Sequence, residues 1–187
     1  MSARWRNTGW RGAECSTTTG ESPMVSKQDD FPNLRDGQWR PISPVDPAYN
    51  CIAFAAGRTD VYWWPDQYPD PDSNYWPAGI TRTETVDAIV ELFARLGYGD
   101  AADASLEAGY AKVAIYALGF VPTHAAGQLP DGRWKSKLGT EDDIEHDTLE
   151  ALVGPCYGTV ARIMKRRLDV PSSRTGVPSD TKHLPAP

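Results

Sequence analysis

The stretch "FPNLRDGQWRPISPVDPAY", residues 31 to 49, carries four prolines. Each proline fixes φ, removes a backbone donor and pushes the residue before it out of the helical region, so this length of chain is an extended lead-in. It delivers the backbone to Asn50 and Cys51, where "CIAFAA" begins. Ala, Ile and Phe cover most of that segment, and Gly57 follows where a left-handed C-cap closes a helix. The reading is a short buried helix, with a strand as the alternative. Cys51 is then either a small apolar filler or a nucleophile at the start of a helix.

Residues 61 to 79, "VYWWPDQYPDPDSNYWPAG", are dense in proline, Asp/Asn and aromatic rings, which suits a rigid loop packed by its own side chains. Such a loop walls a cleft, with Trp63, Trp64, Tyr75, Trp76 and the preceding Asn50 as candidate substrate-binding residues. The competing reading is a structural lid whose rings bury against the domain. Val86, Ile89, Val90, Phe93 and Leu96 recur at helical spacing and predict an amphipathic helix over about 82–96, opened by a Thr81–Glu84 capping box and stopped by Gly97. "YAKVAIYAL", "VPTHAAGQL" and "RWKSKL" read as strands, the last two joined through the Pro-Asp-Gly turn of "LPDGR". The acidic "GTEDDIEHD" reads as a loop leading to a small helix near 147–153 capped by Asp147. "YGTVARIMKR" reads as a last strand. Helices first and an antiparallel meander after them predict an α+β domain.

The polar, Ser/Thr/Gly-rich residues 1–30 and the Pro/Ser-rich residues 169–187 have too few apolar groups to offset the entropy of ordering, so both are expected to be disordered tails around a single domain, 31–168. Met24 is an alternative start. A net charge of −6 and no basic block longer than "KRR" disfavour nucleic acid and anionic membrane as partners. No apolar run approaches the ~20 residues that span a bilayer, and the beginning of the chain lacks the apolar core of a secretory signal. Three cysteines form no disulfide framework and no close-spaced metal motif, so a reducing, cytoplasmic setting is expected. No glycine-rich phosphate loop is present and no cofactor is expected. Asp142, Asp143, Glu145 and His146 crowd too closely along the chain for all to point at one ion, and Cys156 reads as a packed small residue.

A thiol reacts as thiolate, so a catalytic cysteine needs a positive helix end or an imidazole beside it. Cys51 meets the first condition and His124, in the central strand among small neighbours, supplies the second. With period two, His124, Ala126 and Gln128 share a face, and pairing the hairpin about Asp131 sets Trp134, Ser136 and Leu138 across from them. Gln128 or Ser136 is then the group that orients the imidazole, with Glu145 or Asp143 reachable from the following loop. Lys135 and Lys137, on the opposite strand face from Ser136, are expected to face solvent, with Lys137 alternatively paired to the acidic loop.

The blocks "NCIAFAAG", "KVAIYA", "THAAGQLPDGRWKSKLG" and "DIEH" followed by "YGTVARIMKR" resemble a bacterial domain family of unknown function over about residues 31 to 166. The helix-borne cysteine and the "HAA" strand running into "DGRWKSKLG" also resemble, distantly, the papain-like cysteine peptidase and amidase superfamily. That second resemblance implies a papain-like fold, N-terminal helices packed on a small antiparallel sheet, with Cys51 as nucleophile and His124 as base. The expected function is thiol-based acyl transfer on a peptide or protein amide: hydrolysis, deamidation or transamidation. The alternatives are a non-enzymatic binding or structural domain, and an effector-like deamidase acting on another protein.

Overall fold

The computed structural model describes residues 30–65, 74–139 and 141–168. The expected tails lie outside these residues, Asp30 apart. Seven antiparallel strands form one sheet: β1 (Trp39–Pro41), β2 (Gly99–Asp100), β3 (Tyr110–Leu118), β4 (Val121–Gln128), β5 (Trp134–Lys137), β6 (Asp143–His146) and β7 (Thr159–Arg167), in the order β1-β6-β5-β4-β3-β7-β2. Among the described residues, the helices α1 (Cys51–Ala55) and α2 (Val86–Arg95) lie on one face. The domain is therefore mainly β, and this overturns the α+β, papain-like expectation of helices on a small sheet. The sheet widens because short segments that look like loops in the sequence pair at its edges. "DIEH" joins β5 along its whole length and in turn receives β1 from the proline-rich lead-in.

Period two sorts the strands between two apolar layers. Val113, Ile115, Ala125 and Met164 face the helices, packing with Ile89, Leu92, Phe93, Trp63 and Trp64. Ala114, Tyr116, Ala126, Trp134 and Ile144 face the other way, against Phe31, Leu34, Leu149, Leu152 and Tyr157. α2 starts later than the capping box predicted: Thr85 is its N-cap and accepts from the Ala88 amide at 3.3 Å, while Glu84 takes the Trp64 indole N–H. Gly97, at φ 86°, ends it as expected. Residues 147–153 form a single 3-10 turn, Leu149–Leu152, with Thr148 rather than Asp147 at its start.

The β4–β5 hairpin has the predicted register, Gln128 opposite Trp134 and Gly127 opposite Lys135. On its other side β4 pairs with β3, and there the register shifts: Tyr116 faces His124 but Ala117 faces Pro122. Thr123 is the extra residue, a bulge that turns the strand beside His124. Its hydroxyl donates to the Tyr157 carbonyl at 2.6 Å, which ties β4 to the approach of β7.

Candidate functional site

Asn50 sets where α1 begins. Its side-chain oxygen accepts from the amides of Ala53 and Trp63, and its amide nitrogen donates to the Trp63 carbonyl at 2.7 Å, so one buried residue caps the helix and fastens the aromatic loop to it. Cys51 is the first helical residue and is 7% exposed. Five residues are too few for a helix dipole of any size, so the sulfur's surroundings come from elsewhere. Burial pushes the thiol up to about 11, opposed by the backbone N–H groups of Ala125, Ile52 and Cys51 itself and by the Lys137 cation.

His124 is 2% exposed and its Nε2 lies 2.9 Å from Ser136 Oγ. Ser136 Oγ is also 2.9 Å from His146 Nε2, and His146 Nδ1 is 2.8 Å from the Thr148 carbonyl. These three side chains share the face away from the helices and form a continuous buried chain. Tyr157 stacks on the His124 ring and Tyr116 meets its edge. Burial holds both imidazoles below their usual range, His146 at about 4 and His124 in the same direction with the neighbouring His146 as a second cause. His124 Nδ1 has no hydrogen-bond partner among the described residues.

Cys51 packs in the helix-side layer and His124 against the rings of the other, so the sheet's own plane lies between their layers. They nevertheless share two neighbours. The backbone N–H of Ala125, the residue after His124, favours the Cys51 thiolate, and Tyr157, whose ring covers His124, interacts electrostatically with the thiol. The β4–β5 pairing includes only Gly127 and Gln128 of β4.

The family model that matches residues 40–165 is described as a domain of unknown function, DUF7689. The chain belongs to the DUF7689 family. No curated protein and no solved structure matches it. The DUF7689 span holds Cys51, His124, Ser136 and His146 and leaves out Phe31 and Leu34, which cover the sheet face bearing the histidines.

Within the DUF7689 domain several expected site residues have other engagements. Gln128 donates to the carbonyls of Ala104 and Gly132, so Ser136 is the group on the His124 ring and Gln128 is not. Asn50, Trp63, Trp64 and Trp76 are buried, and Tyr75 alone of the five residues proposed to bind substrate is exposed, at 47%. The rings pack as core because the Asn50 staple pulls Trp63 against α1. Cys51 is the free cysteine among the described residues, and Cys156 is packed in the layer that carries Tyr116 and Tyr157, as expected of a small residue there.

Sequence reasoning expected Lys135 and Lys137 to face solvent, with Lys137 alternatively paired to the acidic loop, and the alternative is what Lys137 does. Lys137 is fully buried, not solvent-facing: it donates to the Glu141 carbonyl at 2.7 Å, lies 3.6 Å from Asp143 and sits 4.5 Å from the centre of the Tyr49 ring. Asp143 also accepts from Tyr49 and Ser43, at 2.6 and 2.8 Å. The signal available was the strand period: Lys135 and Lys137 share the face toward α1, and Lys135 does cover the Phe54 ring. Alternation on β6 likewise sends Asp143 and Glu145 to one face and His146 to the other.

Proposed function

We propose that this domain is a thiol-dependent hydrolase or acyltransferase acting on amide or ester carbonyls, with Cys51 as nucleophile, His124 as base and Ser136 as the group that orients His124. The observation that carries the reading is the division of labour on the His124 ring: Nε2 is engaged by Ser136, while Nδ1 is buried and has no partner among the described residues. Covalent catalysis needs a nucleophile, a base and a group that orients the base, and the proposal assigns these roles to Cys51, His124 and Ser136.

In the reaction the Cys51 S–H proton passes to His124 Nδ1 as sulfur bonds to the substrate carbonyl carbon. The proton then goes to the departing amine or alkoxide as its bond to carbon breaks, leaving a thioester. Water or a second amine resolves the thioester, its proton returning through His124. The N–H groups on the sulfur and the Lys137 charge favour the thiolate, and burial opposes it. Both partners are therefore neutral at rest, and the proton moves only as the carbonyl is attacked. A peptide or protein amide is the proposed substrate class.

The burial of Cys51 favours a second reading, a non-enzymatic binding or structural domain in which the thiol is packing. The two readings separate by iodoacetamide labelling at neutral pH, mapped by peptide mass spectrometry on wild type, Cys51→Ala and His124→Ala. The enzyme reading expects modification at Cys51 that His124→Ala slows at least tenfold while the thermal transition is retained. Labelling of Cys51 only under unfolding conditions establishes the binding reading instead.

A further inference from the structure

The chain from Thr148 to His124 has a single self-consistent direction. A carbonyl only accepts, so the 2.8 Å contact of His146 Nδ1 with the Thr148 carbonyl puts a proton on Nδ1. In a neutral ring, His146 Nε2 then carries the lone pair and accepts the hydroxyl proton of Ser136. Ser136 has one proton and has given it, so its oxygen accepts from His124, and His124 Nε2 must be the protonated nitrogen. The lone pair of His124 is left on Nδ1, the nitrogen without a partner.

We propose that His146 is a positioning residue that fixes the tautomer of His124 through Ser136, so that the basic lone pair faces away from the hydrogen-bonded chain. The proton order stands on the hydrogen-bond geometry; its catalytic meaning rests on the thiol reading above. All three side chains are buried, at 2% exposure for His124 and 0% for Ser136 and His146, so no solvent proton competes for the roles. A serine between two histidines passes on direction, not charge: its hydroxyl points wherever the more constrained ring accepts. The fixed carbonyl of Thr148 constrains His146, and the order propagates from there. When Nδ1 takes the Cys51 proton, Nε2–H stays on Ser136 and no bond in the chain has to turn. The alternative tautomer would put the proton on Nδ1 and leave it no lone pair to act as base.

The test is histidine-labelled nitrogen NMR of the full chain at pH 7.5. In wild type His124 is expected as the Nε2–H tautomer and His146 as Nδ1–H. Replacing His146 with leucine removes the acceptor, so the Ser136 hydroxyl turns to His124 Nε2 and His124 becomes Nδ1–H. His146→Gln, which keeps an acceptor and a donor, restores the wild-type His124 signature. Cys51 alkylation is expected to fall at least tenfold in His146→Leu and to recover in His146→Gln. If either substitution prevents folding, the wild-type tautomers decide, because Nδ1–H on His124 overturns the proposal outright. A chain order confirmed by NMR with an inert Cys51 would retain the tautomer assignment and remove the thiol reading, so the two failures are distinguishable.

Discussion

Tyr157 lies flat on the imidazole of His124, ring centroids 4.2 Å apart and planes 8° from parallel. The tyrosine is held there by its carbonyl, which takes the Thr123 hydroxyl, and by the next residue, Gly158, whose φ is 71°. A Cβ at Gly158 would collide with the Ala117 carbonyl, so glycine is required by close approach as well as by backbone conformation. Gly158→Ala should destabilise the domain by roughly 2–4 kcal/mol, from left-handed strain and overpacking together. Urea denaturation measures it, and a change under 0.5 kcal/mol would show that β7 moves away from β3 without cost.

Acid should weaken the fold through the two buried histidines. In the unfolded chain their pKa is near 6.5, and in the folded state it is lower, about 4 for His146. The unfolded state therefore binds protons that the folded state refuses. Stability is complete above pH ~6.5 and falls as pH drops toward 4, by up to about 1.4 kcal/mol per pH unit for each ring. The charged neighbour facing His146 is Asp147, which works against the shift, while Tyr116 and Tyr157 cover His124. Proton NMR should show neither imidazole titrating between pH 7.5 and 6, and a normal titration of His124 there contradicts its burial.

The Lys137–Asp143 pair should matter more when broken than when deleted. Asp143→Ala leaves a buried ammonium with only the Glu141 carbonyl and the Tyr49 ring, a loss of about 3–5 kcal/mol. The double variant Lys137→Met with Asp143→Leu should regain much of that loss, because neither charge is then stranded. Thermal unfolding of the two single variants and the double variant tests this, and additive losses would refute it.

Asn50→Ala removes the α1 cap together with the bonds to Trp63, and about 2–4 kcal/mol should be lost. Asn50→Asp keeps the oxygen that serves Ala53 and loses only the donor to the Trp63 carbonyl, so it should fall between wild type and Asn50→Ala. Equal stability of the Ala and Asp variants would mean that the bond to the Trp63 carbonyl, and not the cap, holds this junction.

Several parts of the site are legible in the sequence because local rules set them. The Pro-Asp-Gly turn fixes the hairpin register, and with it the face that carries His124 and Ser136. The proline-rich lead-in ending at Asn50 fixes the start of α1 at Cys51. "DIEH" is less legible, because three of its four residues are polar and nothing nearby shows that β1 and β5 will flank it. The pairing of Lys137 with the acidic loop is legible as an alternative, but its burial is not, for the same reason. A lysine is buried only if distant groups satisfy its charge, and here these are Asp143 from the next strand, Glu141 from the turn and Tyr49 from far upstream.

By itself the sequence determines the strands around the site, the turn between them and the residue at which the first helix begins, since proline, glycine and alternation act within a few residues. Which groups meet is settled only by the tertiary structure. The sheet brings His146 to Ser136 and Ser136 to His124, and sets Cys51 on the helix side. The physical reason is range: backbone geometry is a local property, while the pairing of buried polar groups depends on long-range contacts that exist only after the strands have found their neighbours.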